Sequence, residues 1–374
     1  MTATIEHADV MDWCKAYDGP KSHALLCDPP YELGFMGKDW DKTGIVFDPD
    51  TWAALAEHLH PGGFGMAFAS SRGWHRLAVA IEDAGLRIHP SIFGWVFGSG
   101  FPKATRVKDT PEFEGHRYGL QAMKPALEPI IVFQKPYKGK AVESIVETGA
   151  GALNIDGARI GTEPGLQRPA RQGKGISGGW AGYTQEPGKY GTEDGQGRWP
   201  ANFYVDEEAA ARLGEQSGEG HRRGNKSAKT FPGGDYTVDF GQGRGYSEHG
   251  NPGDTGTAAR FFFNVNRQID EADPVMYQAK ASRKERDAGL EGRNRHTTVK
   301  PIDLTRWLAA LLLPPPEYAP RRILVPFAGS GSEMIGAYLS GWEEIIGIEM
   351  EREYAEIAKA RIAYWESRPK QLEL

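Results

Sequence analysis

The chain has 374 residues, of which 39% are hydrophobic and 25% are charged, proportions that are typical of a folded globular protein. This length allows one large domain with an insertion, or two domains. The formal net charge of −6 argues against a protein that binds polyanions with its whole surface, although a local basic face is compatible with it.

Compartment and membrane signals point to the cytoplasm. Cys14 and Cys27 give neither a disulfide framework nor a metal-site spacing, which fits a reducing compartment. No stretch reaches the eighteen or so apolar residues of a membrane helix. The first residues, MTATIEHADV, lack the basic and apolar regions of a secretory signal. We therefore expect a cytoplasmic protein without a membrane anchor.

The first region, residues 1–138, alternates short apolar runs with stretches of helical periodicity. Pro61-Gly62-Gly63 separates the first predicted helix from the strand that follows it. The predicted strands are His23–Cys27, Phe64–Ala69, Ile92–Phe97 and Pro129–Phe133, and the predicted helices are Thr51–His60 and Trp74–Ala84, the latter capped by Gly85. This alternation predicts an α/β fold with a mostly parallel sheet that is covered on both faces.

The middle region, residues 139–265, is rich in glycine and poor in apolar runs. Segments such as GKGISGGWAGYTQEPGKYGTEDGQGRWP are poor candidates for a packed core, and we expect short ordered pieces only at Ala152–Ile160 and Pro200–Val205. The third region, residues 266–374, is periodic again. Its predicted elements are the helices Ile302–Leu313, Ser332–Leu339 and Glu351–Trp365 and the strands Ile323–Val325 and Ile345–Ile348. We interpret the outer regions as two halves of one α/β domain.

The motif Asp28-Pro29-Pro30-Tyr31 follows a predicted strand, where open α/β sheets bind ligands. The exocyclic amine of adenine or cytosine is a poor nucleophile, because its lone pair is delocalised into the ring. The Asp28 carboxylate and the Pro29 carbonyl would accept both amine protons and make the nitrogen nucleophilic, while consecutive prolines fix the backbone. Tyr31 offers a flat face for a base swung out of the duplex. The alternative is a turn with a packed tyrosine.

A second motif, residues 326–332, follows the strand Ile323–Val325 and opens a helix. Its glycines allow a tight turn and a close approach to a ligand. Glu349, at the end of the next strand, is placed to bind ribose hydroxyls, so the order predicts a nucleoside-type cofactor. Upstream, Lys300-Pro301 precedes a helix, where the lysine would hold a carboxylate or would simply be solvated.

Together these motifs resemble the β class of DNA amino-methyltransferases, in which a catalytic DPPY motif precedes the target-recognition region and a cofactor loop, F-x-G-x-G, comes last. The resemblance covers about two thirds of the chain. It implies a Rossmann-like S-adenosylmethionine-dependent methyltransferase fold with circularly permuted motif order and a glycine-rich inserted recognition region. Three further segments, 98–103, 124–130 and 279–286, look like those of orphan, often phage-borne members.

The resemblance also assigns roles to residues. It implies catalysis by Asp28, Pro29, Pro30 and Tyr31, and cofactor binding by Asp9, Asp28, Lys300, Pro301, Pro326, Phe327, Ala328, Gly329, Ser330, Gly331, Ser332 and Glu349. Two positions depart from the family. Val325 stands where an aspartate is usual, and Ser332 stands where a threonine is usual, although serine keeps a hydroxyl that can cap the helix.

The implied reaction is methyl transfer from S-adenosylmethionine to the N6 amine of adenine in double-stranded DNA, with base flipping. Adenine is favoured because cytosine-N4 enzymes of the family more often carry serine at the position of Asp28. Cytosine-N4 methylation is one alternative, and a catalytically impaired DNA-binding module, suggested by Val325, is another. Methylation at cytosine C5 requires a cysteine nucleophile in a setting that Cys14 and Cys27 lack. No metal is implied, because a sulfonium needs no Lewis acid.

A rival class, the protein glutamine methyltransferases, is disfavoured by the sequence. Glutamine methyltransferases carry asparagine before Pro-Pro-Tyr and place the cofactor loop first, unlike this chain. DNA contact is expected from basic residues at Lys103, Arg106, Arg222, Arg223, Arg283, Lys284, Arg286, Arg293 and Arg295. A single basic cluster is more often a solvated face, but three clusters that flank a base pocket favour contact with phosphates. A homodimer is left open. The expected setting is a bacterial or phage-infected cell, in restriction-modification or phage DNA methylation.

Overall fold

The computed structural model describes residues 1–34, 39–98, 102–160, 171–172, 189–190, 199–218, 220–222, 254–256, 258–264, 281, 283–292, 294–296 and 298–368. Its strands are β1 (Thr2–His7), β2 (Ser22–Cys27), β3 (Leu59–Phe68), β4 (Arg87–Ile88), β5 (Phe93–Val96), β6 (Lys103–Arg106), β7 (Arg117–Gln121), β8 (Leu127–Gln134), β9 (Arg171–Gln172), β10 (Lys189–Tyr190), β11 (Phe203–Val205), β12 (Gly220–Arg222), β13 (Asp254–Gly256), β14 (Phe263–Asn264), β15 (Arg322–Pro326) and β16 (Glu344–Glu349). Its α-helices are α1 (Val10–Ala16), α2 (Pro49–Glu57), α3 (Trp74–Asp83), α4 (Ala141–Thr148), α5 (Glu207–Ser217), α6 (Arg283–Arg286), α7 (Ile302–Leu312), α8 (Ser332–Ser340) and α9 (Arg352–Glu366). Within these ranges, no helix is long and apolar enough to span a membrane.

One large sheet organises the fold, and most of its neighbouring strands run parallel. Its order is β1-β16-β15-β2-β3-β8-β5-β11-β14, with the short strand β4 beside β8. All neighbours along this order are parallel except at β8, which is antiparallel to β3, β4 and β5. The predicted α/β class, a Rossmann-like and mostly parallel sheet, is confirmed.

The centre of the sheet is buried on both faces. All six residues of β2, Ser22–Cys27, are buried. Leu25 and Cys27 join an apolar core that α1, α2 and α3 complete. Ala24 and Leu26 point to the opposite face, because strand residues alternate, and they are equally buried. Helix α7 also contacts β2, and α8 contacts the neighbouring strands β15 and β16. Burial on both sides explains why the strand has a continuous apolar sequence.

The strand ends bring both sequence motifs to one edge of the sheet. Strand β2 ends directly before Asp28, and β15 ends directly before Phe327. The two strands are parallel neighbours, with Leu324 paired with Leu25, so their carboxyl ends are level. From β15 the chain continues to β16 on one side, whereas β2 leads to β3 on the other side. Such a reversal is a topological switch point, the position where open α/β sheets bind ligands.

Most predicted elements of the outer regions are present, with ends that differ by one or two residues. There are two exceptions. The helix predicted over Thr51–His60 covers Pro49–Glu57 instead, and the strand predicted over Phe64–Ala69 begins five residues earlier, as β3 (Leu59–Phe68). The segment 61–63, predicted to lie between helix and strand, lies inside β3. The pairing of β3 with β2 shifts register there, and Gly62 has a φ of 83°. A bulge therefore accommodates residues that would otherwise end a strand.

Contacts divide the chain into two units. The first, which contains the large sheet, comprises Met1–Ala158, Pro200–Ala210 and Phe262–Leu374, and the second comprises Arg159–Trp199 and Ala211–Phe261. The described strands of the second unit form two antiparallel pairs, β9 with β10 and β12 with β13. Strands β11 and β14, although they come from the glycine-rich part of the sequence, pair within the large sheet. The division at residues 138 and 265 stays a prediction.

Helices α7 and α8 position the two segments that precede them, Lys300-Pro301 and the glycine loop. The helices approach closely at Gly336, where an added Cβ would lie 2.4 Å from Thr305 Oγ1 and 2.5 Å from the backbone nitrogen of Arg306. Glycine inside a helix costs about 0.5–1 kcal/mol relative to alanine. Here that cost is offset by the close packing that only glycine permits.

We expect Gly336→Ala to lower the free energy of unfolding by about 1–3 kcal/mol, because the methyl group must push α7 away from α8. Urea unfolding measures this change. Gly292→Ala is the matched control, since Gly292 is exposed and an added Cβ there would meet nothing within 4 Å. Equal stability of the two variants would contradict the packing described.

Candidate functional site

A cavity of about 420 Å³ lies at the switch point and contains both sequence motifs in its wall. Its volume is within the range of roughly 300–1,000 Å³ that is usual for small-molecule sites. Twelve of the residues predicted for catalysis or cofactor binding line it: Asp9, Asp28, Pro29, Pro30, Tyr31, Lys300, Phe327, Ala328, Gly329, Ser330, Ser332 and Glu349. The remaining three, Pro301, Pro326 and Gly331, lie beside them in the chain but not in the wall.

Lys300 lies at the centre of a buried polar network. Its Nζ donates to Asp28 Oδ2 at 2.7 Å and to the Tyr31 hydroxyl at 3.1 Å, and lies 2.8 Å from Glu128 Oε1. The Tyr31 hydroxyl in turn donates to Glu128. Burial opposes the charge of the lysine, but the carboxylates of Asp28 and Glu128 outweigh it and raise the pKa of Lys300. The charged ammonium therefore holds the DPPY motif in place.

Asp28 keeps one oxygen free of this network. Oδ2 accepts from Lys300, whereas Oδ1 is buried and has no hydrogen-bond partner among the described residues. A buried acceptor without a partner costs about 1–3 kcal/mol. Because Asp28 lines the cavity, Oδ1 is available to accept a hydrogen bond from a bound molecule.

Two further polar atoms of the cavity wall lack partners in the part of the chain that the structure describes. They are Nε1 of Trp95 and Oε1 of Glu333. Trp95 lies on β5, where it is paired with Glu128 of β8, and Glu333 lies in the first turn of α8. With Asp28, the wall thus presents one donor and two acceptors that a ligand with both kinds of group would satisfy.

The glycine loop has a backbone conformation that side chains rarely adopt. Phe327, Gly329 and Gly331 have φ angles of 57°, 51° and 78°. For the phenylalanine this left-handed conformation costs on the order of 1–3 kcal/mol, and strain of this kind concentrates at ligand-binding sites. An added Cβ at Gly329 would lie 2.9 Å from His296 Nε2, so glycine is needed there for space as well as for conformation.

Two buried charged residues hold this loop. Arg361 of α9 donates from Nη1 to the Ser330 carbonyl at 2.6 Å and to the Ser330 hydroxyl at 2.9 Å. Glu349 Oε2 accepts from the backbone nitrogen of Gly329 at 2.8 Å. Burial lowers the pKa of Arg361 to about 10, and burial raises the pKa of Glu349. The conformation of the loop is therefore fixed before any ligand binds.

The structure adds to what the sequence predicted for three residues, Ser332, Asp9 and Val325. The expectation that the Ser332 hydroxyl caps α8 is wrong, because Gly331 is the N-cap and Ser332 Oγ accepts from Arg361 at 3.3 Å. Asp9 caps α1, where its Oδ1 accepts from the backbone nitrogen of Met11 at 2.8 Å. Val325 is fully buried in β15.

An aromatic part of the wall was not predicted. His296 stacks against Trp40 with ring centroids 6.4 Å apart and meets Tyr354 edge-on at 4.4 Å. Burial lowers the pKa of His296 to about 4, so its ring is neutral at physiological pH. These rings line the same cavity as Phe327 and Glu349 and offer flat apolar surfaces to a ligand.

The predicted DNA-binding residues occupy different environments. Lys103 and Arg106 are exposed on β6, and Lys284 is exposed on α6. Arg295 pairs with Glu353 at 3.5 Å, and Arg286 lines the cavity and donates to the His296 carbonyl at 2.7 Å. Arg223 and Arg293, and the side chains of Arg222 and Arg283, lie outside the described residues.

Comparisons with known proteins give distant structural likenesses. No family model matches the chain, and no curated protein matches it. M1.HpyAVI in complex with SAM is 15% identical, with 96% of this chain and 100% of that chain covered and a TM-score of 0.40. PvuII DNA methyltransferase, described as cytosine-N4-specific, is 12% identical, with 96% and 86% covered and a TM-score of 0.45. TTHA0409 of Thermus thermophilus, complexed with S-adenosyl-L-methionine, is 13% identical, with 98% and 97% covered and a TM-score of 0.42. Similarity at this level says nothing about the reaction of this chain.

The stability of the fold should depend on pH through Glu333. Burial, and then the neighbouring charge of Asp28, raise the pKa of Glu333 to about 7 from an ordinary value of 4.5. Between these values the folded state holds a proton that the unfolded state has released, so stability falls as pH rises through this window. We expect Glu333→Gln to be more stable than the wild type at pH 8, on the order of 2 kcal/mol, and equal to it near pH 4.

Thermal unfolding of the ligand-free protein across this pH range measures the effect. Glu82→Gln, at an exposed position of α3, is the matched control and should follow the wild-type curve. A Glu333→Gln curve that is parallel to the wild-type curve throughout would show that this carboxyl group does not titrate between pH 4.5 and 7.

Proposed function

We propose that this chain is a DNA methyltransferase that transfers the methyl group of S-adenosylmethionine to an exocyclic base amine. The observation that carries the proposal is the shared cavity. Asp28, whose Oδ1 has no hydrogen-bond partner among the described residues, lines the same cavity as Glu349 and the loop that begins at Phe327. A carboxylate that can activate an amine thus lies beside a loop suited to a nucleoside-type cofactor.

The residues of the cavity fit S-adenosylmethionine. Glu349, which lines the cavity, is proposed to bind the ribose hydroxyls, and the ring surfaces of His296 and Trp40 suit an adenine. The wall also contains the buried carboxylate of Glu333, whose Oε1 is unpartnered among the described residues and suits a cationic ligand. When bound, the cofactor would supply an electrophilic methyl group on a sulfonium, and the sulfur would keep the electrons of the broken bond and leave as a neutral thioether. The family role proposed for Asp9, Pro301, Pro326 and the other loop residues is to complete this site.

The residues around Asp28 support activation of the amine. Lys300 occupies Oδ2, so Oδ1 is the atom left to accept one amine proton, and the backbone carbonyl of Pro29 is proposed to accept the other. Two accepted hydrogen bonds draw the nitrogen towards a tetrahedral, nucleophilic geometry. After methyl transfer the nitrogen must lose a proton, and Oδ1 is its acceptor. Tyr31, whose hydroxyl is held by Lys300 and Glu128, presents its ring to the flipped base.

The contacts of Lys300 suggest a different role from the one that the sequence predicted for this residue. The expectation from the sequence was that this lysine holds the cofactor's carboxylate. Its contacts with Asp28, Glu128 and Tyr31 instead favour a positioning role for the catalytic motif. An ammonium that is buried and fully engaged keeps the carboxylate oriented without a cost in reorganisation during the reaction.

Adenine N6 in double-stranded DNA is the proposed target, and cytosine N4 is the alternative. The aspartate at position 28 supports adenine through the family resemblance, while the hydrogen-bonding scheme suits either amine equally. A catalytically impaired module is disfavoured by the strained loop and by the unpartnered Oδ1 of Asp28, features that a ligand-binding site explains. A homodimer and a restriction-modification or phage setting stay predictions.

Asp28→Ala should abolish methyl transfer, with a loss of at least a hundredfold, because the amine loses its proton acceptor. Incorporation of radiolabelled methyl groups into DNA measures the loss. Asp83→Ala, at an exposed position of α3, is the control and should leave the rate unchanged. Calorimetric titration with S-adenosylmethionine should show that the Asp28 variant still binds the cofactor. A rate within tenfold of the wild type would refute the mechanism.

Nucleoside analysis distinguishes the two target bases. DNA methylated in vitro, digested and separated by chromatography should contain N6-methyladenine as the new species. N4-methylcytosine in its place would overturn the base assignment but leave the cofactor and the mechanism intact. 5-Methylcytosine would overturn the mechanism as well, because that route requires a covalent cysteine adduct.

A further inference from the structure

A hairpin formed by β6 and β7 leaves the large sheet directly beside the cavity. The two strands lie in the chain between β5 and β8 and pair only with each other. At the base of this excursion Trp95 pairs with Glu128, and Val96 pairs with Leu127. Because both Trp95 and Glu128 line the cavity, the chain leaves the large sheet before the hairpin, and rejoins it after the hairpin, at residues next to the cavity wall.

The hairpin and the segment that follows it expose large apolar side chains. Tyr118 is 58% exposed, Leu120 is 99% exposed and Met123 is 85% exposed. Tyr118 and Leu120 flank Gly119, which has a φ of 122°, where the pairing of β6 with β7 shifts register. Such a bulge interrupts the alternation of a strand, and Leu120 is almost fully exposed there. Single exposed apolar residues are common on proteins, but several large ones within six residues of one hairpin indicate a surface that binds a partner.

The strands of the hairpin also concentrate positive charge. Arg106 of β6 lies directly opposite Arg117 of β7. Like charges at opposed positions destabilise a strand pair unless an anion lies between or beside them. Within the described ranges, no carboxylate forms an ion pair with either arginine or with Lys103. The acidic residues of the hairpin, Asp109, Glu112 and Glu114, lie in the loop that connects the two strands.

We propose that this hairpin enters a groove of double-stranded DNA at the target base, where Leu120 and Met123 fill the space that the flipped base leaves. Arg106 and Arg117 contact the phosphates on either side. A two-stranded ribbon fits the major groove, and apolar side chains inserted between base steps offset the energy lost on unstacking. This inference rests on the proposed function, because it requires a DNA base to leave the duplex.

The apolar part of the inference is tested with the double variant Leu120→Ser, Met123→Ser. The wild type and the variant are compared on a duplex that carries the methylation site mapped by sequencing, and on the same duplex with an abasic position opposite the target base. We expect kcat/KM to fall at least tenfold on the paired duplex and less than threefold on the duplex whose target is already unpaired. The control is Val142→Ser, Val146→Ser on α4, whose side chains are 69% and 65% exposed.

The charged part is tested by the salt dependence of DNA binding. Arg106→Gln, Arg117→Gln should reduce the slope of log K against log salt by about 2, since each phosphate contact contributes about 0.9. Lys138→Gln, Lys140→Gln, at exposed positions after β8, is the control. Equal rate losses on both duplexes, no loss, or an unchanged slope would overturn the inference and leave the surface for a protein partner. If the wild type methylates neither duplex, it is the proposed function that fails.

Discussion

The site depends on one buried charge, the ammonium of Lys300. It contacts the carboxylates of Asp28 and Glu128 within 2.8 Å and the hydroxyl of Tyr31 at 3.1 Å. These residues come from chain segments that meet only in the folded sheet, so the network links the DPPY motif to β8 and to the start of α7. Removing the lysine would leave two buried carboxylates unpaired, which costs several kcal/mol in comparable pairs (about 3–5).

Buried polar side chains also fix the glycine loop. Arg361 and Glu349 hold its backbone through Ser330 and Gly329, and the strained conformation of Phe327 persists because these contacts determine it. A loop that is already ordered loses little conformational entropy when a ligand binds. The geometry around the cavity is therefore preorganised on both sides, at the carboxylate of Asp28 and at the glycine loop.

Helices and strands whose apolar residues repeat at a regular spacing could be predicted from the sequence. Residues that act through contacts with distant parts of the chain could not. Strand β2 and helices α7 and α8 follow from their apolar patterns, and the order of the motifs places Asp28 near Phe327. Strand β1 was missed because only Ile5 among its residues is buried at the sheet edge. Glu128 and Arg361 were missed because each lies far along the chain from the residues it contacts. The sequence signal for Arg361 was an arginine within the apolar stripe of α9, which Tyr354, Ala355, Ala358 and Ile362 form.

Two buried residues, Val325 and Glu333, bear on how much negative charge the cavity presents to a cationic cofactor. The resemblance leads one to expect an aspartate at position 325, but the valine there is fully buried in the sheet. Glu333, in the first turn of α8 directly after the glycine loop, supplies a buried carboxyl group to the same cavity. The charged residues of the wall remain predominantly acidic, with Lys300 and Arg286 as its basic members within the described ranges. Since Lys300 is neutralised by its own partners, an excess of negative charge is left, and a sulfonium with an ammonium group would compensate it. Glu333 thus provides a carboxylate to the cavity although Val325 provides none, and this supports the proposed methyltransferase over the impaired DNA-binding module.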